Sequence, residues 1–267
     1  MCATCGCGQE NHSHDHEHDP LHAHPHAHPH AHSHEHEHAH PGETGATGRV
    51  VSLEHDILGK NQLLAERNRG WFEGRGILAI NLMSAPGSGK TALLCRTLRE
   101  LKAPIAVIEG DQATRLDADR LKESGAKVAQ INTGPGCHLD AEMVARGLKE
   151  LAPPLQSIVM IENVGNLICP ALFDLGERAR VVLLSVTEGE DKPLKYPHMF
   201  RAADLLILNK IDLLPHLDFD IDRAEENARR VNPQIRVIRL SATRGTGFDA
   251  WQEWLLDRLA AMMPEGA

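Results

Sequence analysis

Aromatic side chains are nearly missing from this 267-residue chain: three Trp, one Tyr and five Phe make up 3% of it. The core must therefore come from Leu, Ile, Val and Ala. A basic stripe is missing too. Lys and Arg number 28 against 37 Asp and Glu, a formal charge of −9, which argues against nucleic acid as the main partner. No window approaches the roughly 18 consecutive apolar residues of a membrane span. The first residues lack the charged and apolar regions of a signal peptide, starting with Cys and Gly and running into His. A cytoplasmic location is the expectation. In a reducing compartment the six cysteines are read as metal ligands or buried thiols rather than disulfides.

What is present falls into three segments. Residues 1–10, MCATCGCGQE, form a small cysteine cluster. Residues 11–48 are low-complexity, and 14 of the 18 His lie between His12 and His40, interleaved with acids, Ala, Pro and Ser. With no apolar period this tract cannot bury a core and is expected to be disordered without a ligand. From residue 49 the pattern becomes globular. Apolar residues at near-helical spacing predict a leading amphipathic helix over 51–74. Short apolar runs then follow at Ile77–Met83, Ile105–Ile108, Val128–Ile131, Ile158–Ile161, Arg180–Val186, Leu205–Leu208 and Ile235–Leu240. Helices are expected at 91–102, 113–124, 139–150, 222–231 and 248–263. Apolar runs without alternation belong to strands buried on both faces, so the fold expected is α/β, a doubly wound and mainly parallel sheet.

The strongest motif is Ser84-Ala85-Pro86-Gly87-Ser88-Gly89-Lys90-Thr91, between an apolar strand and a helical run. This strand–loop–helix order is that of a phosphate-binding P-loop. Backbone N–H groups of Gly87, Ser88 and Gly89 would close on the phosphates, Lys90 would reach the β- and γ-phosphates, and Thr91 would bind Mg²⁺. Ser84 stands where the pattern's first Gly is usual. Asn209-Lys210-Ile211-Asp212 follows a later strand, at the end where ligands bind in open α/β sheets. There the Asp212 carboxylate would accept from N1–H and the exocyclic amine of guanine, a donor pair that adenine lacks. Ser241-Ala242-Thr243 fits the loop that closes over the base. After strand Ile158–Ile161, Glu162 would serve the Mg²⁺ shell and Gly165 the γ-phosphate, with Asp111 as a second acid. Either acid has the alternative of capping the following helix. No Gln follows Gly165, only the shorter Asn166, so hydrolysis should be slow.

Three candidate transition-metal sites are also legible. Cys2, Cys5 and Cys7 form CxxCxC, dense enough to enclose one soft or borderline cation. The His tract offers many near-equivalent imidazoles, which suits buffering of Ni²⁺ or Zn²⁺ better than one specific geometry. In the globular part, Cys137-His138 and Cys169 lie in loops that leave the same end of the sheet as the nucleotide loops. Each cysteine alone is compatible with a small buried hydrophobe; shared location argues for a site, which water or a second subunit would complete. Cys95 is read as core, and His55, His198 and His216 as structural.

MCATCGCG, the His tract, NLMSAPGSGKT, VIEGDQATRLDADR, TGPGCHLD, ENVGNLICPALFDLGE and NKIDLLP together closely resemble the HypB family of hydrogenase nickel-incorporation GTPases. The resemblance covers nearly the whole chain, Ser84 and Glu162 included. It implies the SIMIBI class of P-loop NTPases, GTP and GDP as ligands, and a GTP-dependent homodimer. It further implies nickel delivery to [NiFe] hydrogenase with a HypA-type metallochaperone. Cys2, Cys5 and Cys7 would form a tight nickel site, and Cys137, His138 and Cys169 a Ni²⁺ or Zn²⁺ site at the dimer interface. The rivals are the urease nickel GTPases, which do not share the CxxCxC start, and a nickel storage protein with a vestigial nucleotide site. A general signalling GTPase would have no use for the ligand-rich tail.

Overall fold

The computed structural model describes residues 44–111, 116–134 and 136–262, with side chains from Asp56 onward except that of Leu116. The CxxCxC cluster and the His12–His40 tract lie outside these residues.

Seven strands form one sheet: β1 (Leu78–Ser84), β2 (Ile105–Asp111), β3 (Lys127–Asn132), β4 (Ile158–Glu162), β5 (Ala179–Ser185), β6 (Leu205–Asn209) and β7 (Arg236–Arg239). Their order is β3-β2-β4-β1-β5-β6-β7, and every pairing is parallel. The sheet expected to be mainly parallel is wholly so among the described residues. Central strands β1, β4 and β6 are buried along their whole length, as unbroken apolar runs require, whereas edge strand β3 alternates.

Helices α1 (Thr44–Glu73), α2 (Lys90–Glu100), α3 (Leu116–Glu123), α4 (Ala141–Leu151), α5 (Lys192–Lys195), α6 (Pro197–Arg201), α7 (Ile221–Val231) and α8 (Phe248–Ala260) cover both faces. One face packs Leu78, Ile80 and Leu82 against Leu93 and Leu94 of α2, Leu121 of α3 and Trp251, Trp254 and Leu255 of α8. The other packs Ala79, Ile108, Val159 and Ile161 under Phe72 of α1 and Val144 and Leu148 of α4. Beside them Val182, Leu184 and Leu206 lie under Phe200 of α6 and Ala224 of α7. Each fully buried Leu, Ile or Val contributes roughly 1.5–3 kcal/mol relative to exposure.

The elements depart from expectation where local chemistry overrides period. α1 begins at Thr44, inside the tract expected to have no regular structure, because packing of its later turns carries the helix past Gly45 and Gly48. α4 starts at Ala141 rather than 139, because Asp140 accepts the Met143 N–H at 2.7 Å and caps it. The Cys137–His138 loop is lengthened accordingly. α5 and α6, each opened by a Pro in its first turn, carry no periodic signal and were not expected. β1 has β4 on one side and β5 on the other, with β2 and β3 beyond β4. The sheet's topological switch thus falls at the end of β1, where an open α/β sheet binds its ligand.

Candidate nucleotide and metal sites

The loop after β1 turns through Gly87 (φ +75°) and Gly89 (φ +100°) into α2. A Cβ on Gly89 would lie 2.5 Å from Asn209 Nδ2, so only Gly fits where the phosphate loop meets the base loop. Ser84, the departure from the usual Gly, ends β1 fully buried and accepts a 2.8 Å hydrogen bond from Lys90 Nζ. The serine thereby holds the ammonium in place. Burial pulls the Lys90 pKa down, opposed by the charges of Glu162, Asp117 and Glu188. The Ser88 backbone carbonyl accepts from Asn209 Nδ2 at 2.8 Å, and the Gly87 carbonyl from Lys210 Nζ at 2.7 Å.

Thr91 Oγ1 donates to Glu162 Oε1 at 2.8 Å across the cavity floor. A cavity of about 460 Å³ is lined by Gly87, Gly89, Lys90, Thr91, Asp111, Glu162 and Gly165 among others. Gly165 packs so close to the phosphate loop that a Cβ there would lie 3.0 Å from Pro86 Cα. The same cavity holds an acid that sequence reasoning did not select. Glu109 is the register partner of Glu162, and both are nearly fully buried. Burial, with Glu162 next and then Asp111 and Asp117, pushes the Glu109 carboxyl up to about 8. Burial pushes Glu162 up to about 7, against the pull of Lys90 and the Thr91 hydrogen bond. Glu109 Oε2 and Glu162 Oε2 are buried without hydrogen-bond partners. A hard cation such as Mg²⁺ favours such carboxylate and hydroxyl oxygens, so the donor set fits it.

This has a pH consequence. In the cation-free protein, folding retains protons on Glu109 and Glu162 that the unfolded chain, with carboxyl pKa 4.5, has already released. The contribution of these two carboxyls to stability is therefore full below that value and is lost as pH rises through about 7 and about 8. Thermal melts of nucleotide-free protein across this window should show that decline, flattened by Glu109→Gln. An identical slope in the variant would contradict it.

At the base end, β6 delivers Asn209, and Lys210 turns through a left-handed conformation (φ +64°) into a short 3-10 helix, Ile211–His216. Asn209 Oδ1 accepts from Lys210 N at 2.8 Å and Ala242 N at 3.1 Å, so this amide ties three loops together. Asp212 Oδ1 is buried without a partner. Ser241 Oγ accepts from Arg244 N at 3.1 Å, and Arg96, which no motif singles out, donates to the Ala242 and Thr243 carbonyls at 3.1 Å each.

The second site lies beside the first. Sγ atoms of Cys137 and Cys169 are 2.8 Å apart, His138 Nδ1 is 3.8 Å from Cys137 Sγ, and the three ligand atoms fall within 4.8 Å of one another. Both sulfurs are buried. A tetrahedral ion with bonds of about 2.3 Å would hold two thiolates roughly 3.8 Å apart, so binding needs a small opening of the loops. Burial pulls the His138 pKa below its ordinary value, against the carboxylate of Asp140, so at neutral pH the ring is uncharged and able to offer a lone pair. It stacks on Phe173 at 3.9 Å. Asn166 accepts from Ile168 N at 2.7 Å and Cys169 N at 3.2 Å. Its side chain thus shapes the cysteine turn instead of orienting a water.

A phosphate loop at the switch point of a parallel sheet, with paired acids and a base loop at the same edge, defines a P-loop nucleotide-binding protein of the SIMIBI class. The CobW/HypB/UreG nucleotide-binding domain matches residues 78–239. The hydrogenase maturation factor HypB of Rhizobium leguminosarum bv. viciae is 58% identical over 209 residues, covering 78% of this chain and 70% of that protein. Among solved structures, HypB from Archaeoglobus fulgidus is 40% identical with a TM-score of 0.71, covering 75% of this chain and 99% of that one. HypB from Helicobacter pylori in complex with nickel is 35% identical with a TM-score of 0.72, covering 78% and 99%. The chain belongs to the HypB family of hydrogenase maturation factors.

Proposed function

We infer that this protein is a nickel metallochaperone GTPase, in which GTP hydrolysis controls insertion of Ni²⁺ into the large subunit of [NiFe] hydrogenase. The observation that carries the reading is the run of residues 162–169. It joins a buried acid bonded to Thr91 directly to a buried cysteine of the three-ligand cluster. The nickel complex of the Helicobacter pylori relative supports the choice of metal.

Asp212 selects guanine, Lys90 and the loop amides hold the β- and γ-phosphates, and Gly165 reads the γ-phosphate. Mg²⁺, held by Thr91, Glu162 and Asp111, would neutralise charge on the phosphates. The γ-phosphate orders the Glu162–Pro170 loop, moving Cys169 relative to Cys137 and His138, and so nucleotide state sets metal affinity. Hydrolysis relaxes the loop and releases metal to or from a HypA-type partner. Ile168 and Leu172, both exposed, flank Cys169 as an apolar rim, which supports a GTP-dependent homodimer completing the coordination. Zn²⁺ suits the same thiolate and imidazole donors and would compete there. Cys2, Cys5 and Cys7 supply a separate tight nickel site, the His tract a buffer, and the cytoplasm is the place of action.

The His tract also favours a second reading, nickel storage. Phosphate release, metal stoichiometry and oligomeric state, measured together with and without Ni²⁺, separate the two. A GTPase turns over slowly and changes oligomeric state with GTP. Many ions per chain without either effect would support storage.

A further inference from the structure

The ligand loops of the Cys137–His138–Cys169 cluster come from opposite sides of β4 in sequence, and something must fix their separation. Their downstream ends meet on one face of α1. Asn61 Oδ1 accepts from Ala141 N at 2.9 Å, while Asn61 Nδ2 donates to the Asp174 carbonyl at 2.7 Å. One turn pair further along, Asn68 Nδ2 donates to the carbonyls of Ala141 at 2.8 Å and Leu175 at 3.1 Å. Each amide therefore bridges the same two segments. One of them begins just after His138; the other ends the Cys169 loop.

Spacing puts Asn61, Ala65, Asn68 and Phe72 on one stripe of the helix, and all four are buried. The contact is tight. A Cβ on Gly176 (φ +85°) would lie 2.5 Å from the Ala65 carbonyl and 2.7 Å from Asn68 Cβ. Arg69 reinforces it, donating to Asp174 Oδ2 at 2.6 Å and to the Glu177 carbonyl at 2.8 Å. Between clasp and ligands the path is short: Phe173, which carries the His138 ring, immediately precedes Asp174.

Two buried amides at these positions are hard to explain as core filling. An apolar stripe would have used Leu, and each Asn must find partners or bear the cost of burial. What they gain is a fixed geometry between two loops. We propose that Asn61 and Asn68 are positioning residues for the Cys137–His138–Cys169 site, making α1 a structural part of the metal centre. A rotation or slide of α1 changes the distance between the two ligand loops and hence the affinity for metal. This rests on the reading that these three residues bind metal.

The test uses the full chain with Cys2, Cys5 and Cys7 changed to Ala. Ni²⁺ is titrated in and followed by thiolate-to-metal absorbance, which the His tract does not produce. Asn61→Ala and Asn68→Ala, each separately, should weaken Ni²⁺ binding about ten- to a hundredfold, the range typical of partners behind metal ligands. Affinity for GDP should be unchanged, since neither residue touches the nucleotide cavity. Leu255→Ala, which destabilises the opposite face of the sheet, serves as a control: its melting temperature should fall while Ni²⁺ affinity stays. If Asn68→Ala does not fold, Asn61→Ala decides alone. Wild-type Ni²⁺ affinity in a folded Asn61→Ala chain overturns the proposal, as does equal weakening in Leu255→Ala. Failure of the underlying reading looks different: the chain without Cys2, Cys5 and Cys7 would then show no thiolate-to-Ni²⁺ absorbance before either Asn is changed, or a signal that survives Cys137→Ala/Cys169→Ala, where Cys95 is the only thiol left.

Discussion

Asp212→Asn should weaken GTP binding by about 10²-fold or more and create affinity for xanthosine triphosphate. The carboxylate is the only group at the end of the base loop that accepts two hydrogen bonds from guanine in this reading. Charge-assisted bonds contribute about 1.5–3 kcal/mol each, and 1.4 kcal/mol is tenfold in affinity. Asp212 Oδ1 is already buried without a partner, so the energetic cost of removing it from water is met before nucleotide arrives. Asparagine keeps one acceptor but turns a donor amine toward guanine's own amine. Xanthine has a carbonyl there and accepts it. Asn209, by contrast, has its amide engaged by Ser88, Lys210 and Ala242, and should hold loops together instead of reading the base. Competition of GTP and xanthosine triphosphate for a labelled nucleotide measures the exchange. Unchanged preference would remove Asp212 from the base site.

Lys90→Ala should lower the hydrolysis rate by about 10²–10³-fold, the scale for removing one preorganised charge-stabilising donor. The ammonium is buried, and Ser84 fixes it at 2.8 Å. On the cavity floor Lys90 faces the acids Glu109, Asp111 and Glu162, and among the described residues the cavity's other cation is Arg120. Without it, the developing phosphate charge faces carboxylates. Nickel content of the nucleotide-free chain should be unaffected, because none of the thiolate or imidazole ligands touches Lys90. Single-turnover phosphate release is the measurement. Storage predicts no change in any property of the chain.

The sheet was legible because β1, β4, β5 and β6 are buried on both faces, and only unbroken apolar runs satisfy that. Short edge strand β7 was legible in the run Ile235–Leu240, of which the structure keeps Arg236–Arg239 as strand. The phosphate and base loops were legible because their geometry needs Gly at fixed spacing and an acid after a strand. Cys137, His138 and Cys169 were grouped from the end of the sheet their loops leave, and the structure brings their ligand atoms together. What stayed hidden is polar and buried. Glu109 sits within an apolar strand, where an acid reads as a flaw in the run, and its meaning appears only through the register that pairs it with Glu162. Asn61 and Asn68 likewise look like gaps in the apolar stripe of α1. Their partners lie 80 and 73 residues away in Ala141, a separation that no local pattern reports. Ser84 shows the same limit: its hydroxyl's role depends on Lys90 folding back over the strand end.

The central claim is that nucleotide state sets metal affinity through the loop from Glu162 to Cys169. The direct measurement is Ni²⁺ affinity of the full chain lacking Cys2, Cys5 and Cys7, once with GDP and once with a non-hydrolysable GTP analogue and Mg²⁺. A coupling of about 1–3 kcal/mol would appear as a 5- to 150-fold difference between the two states. Equal affinities, with both nucleotides bound, would contradict the claim.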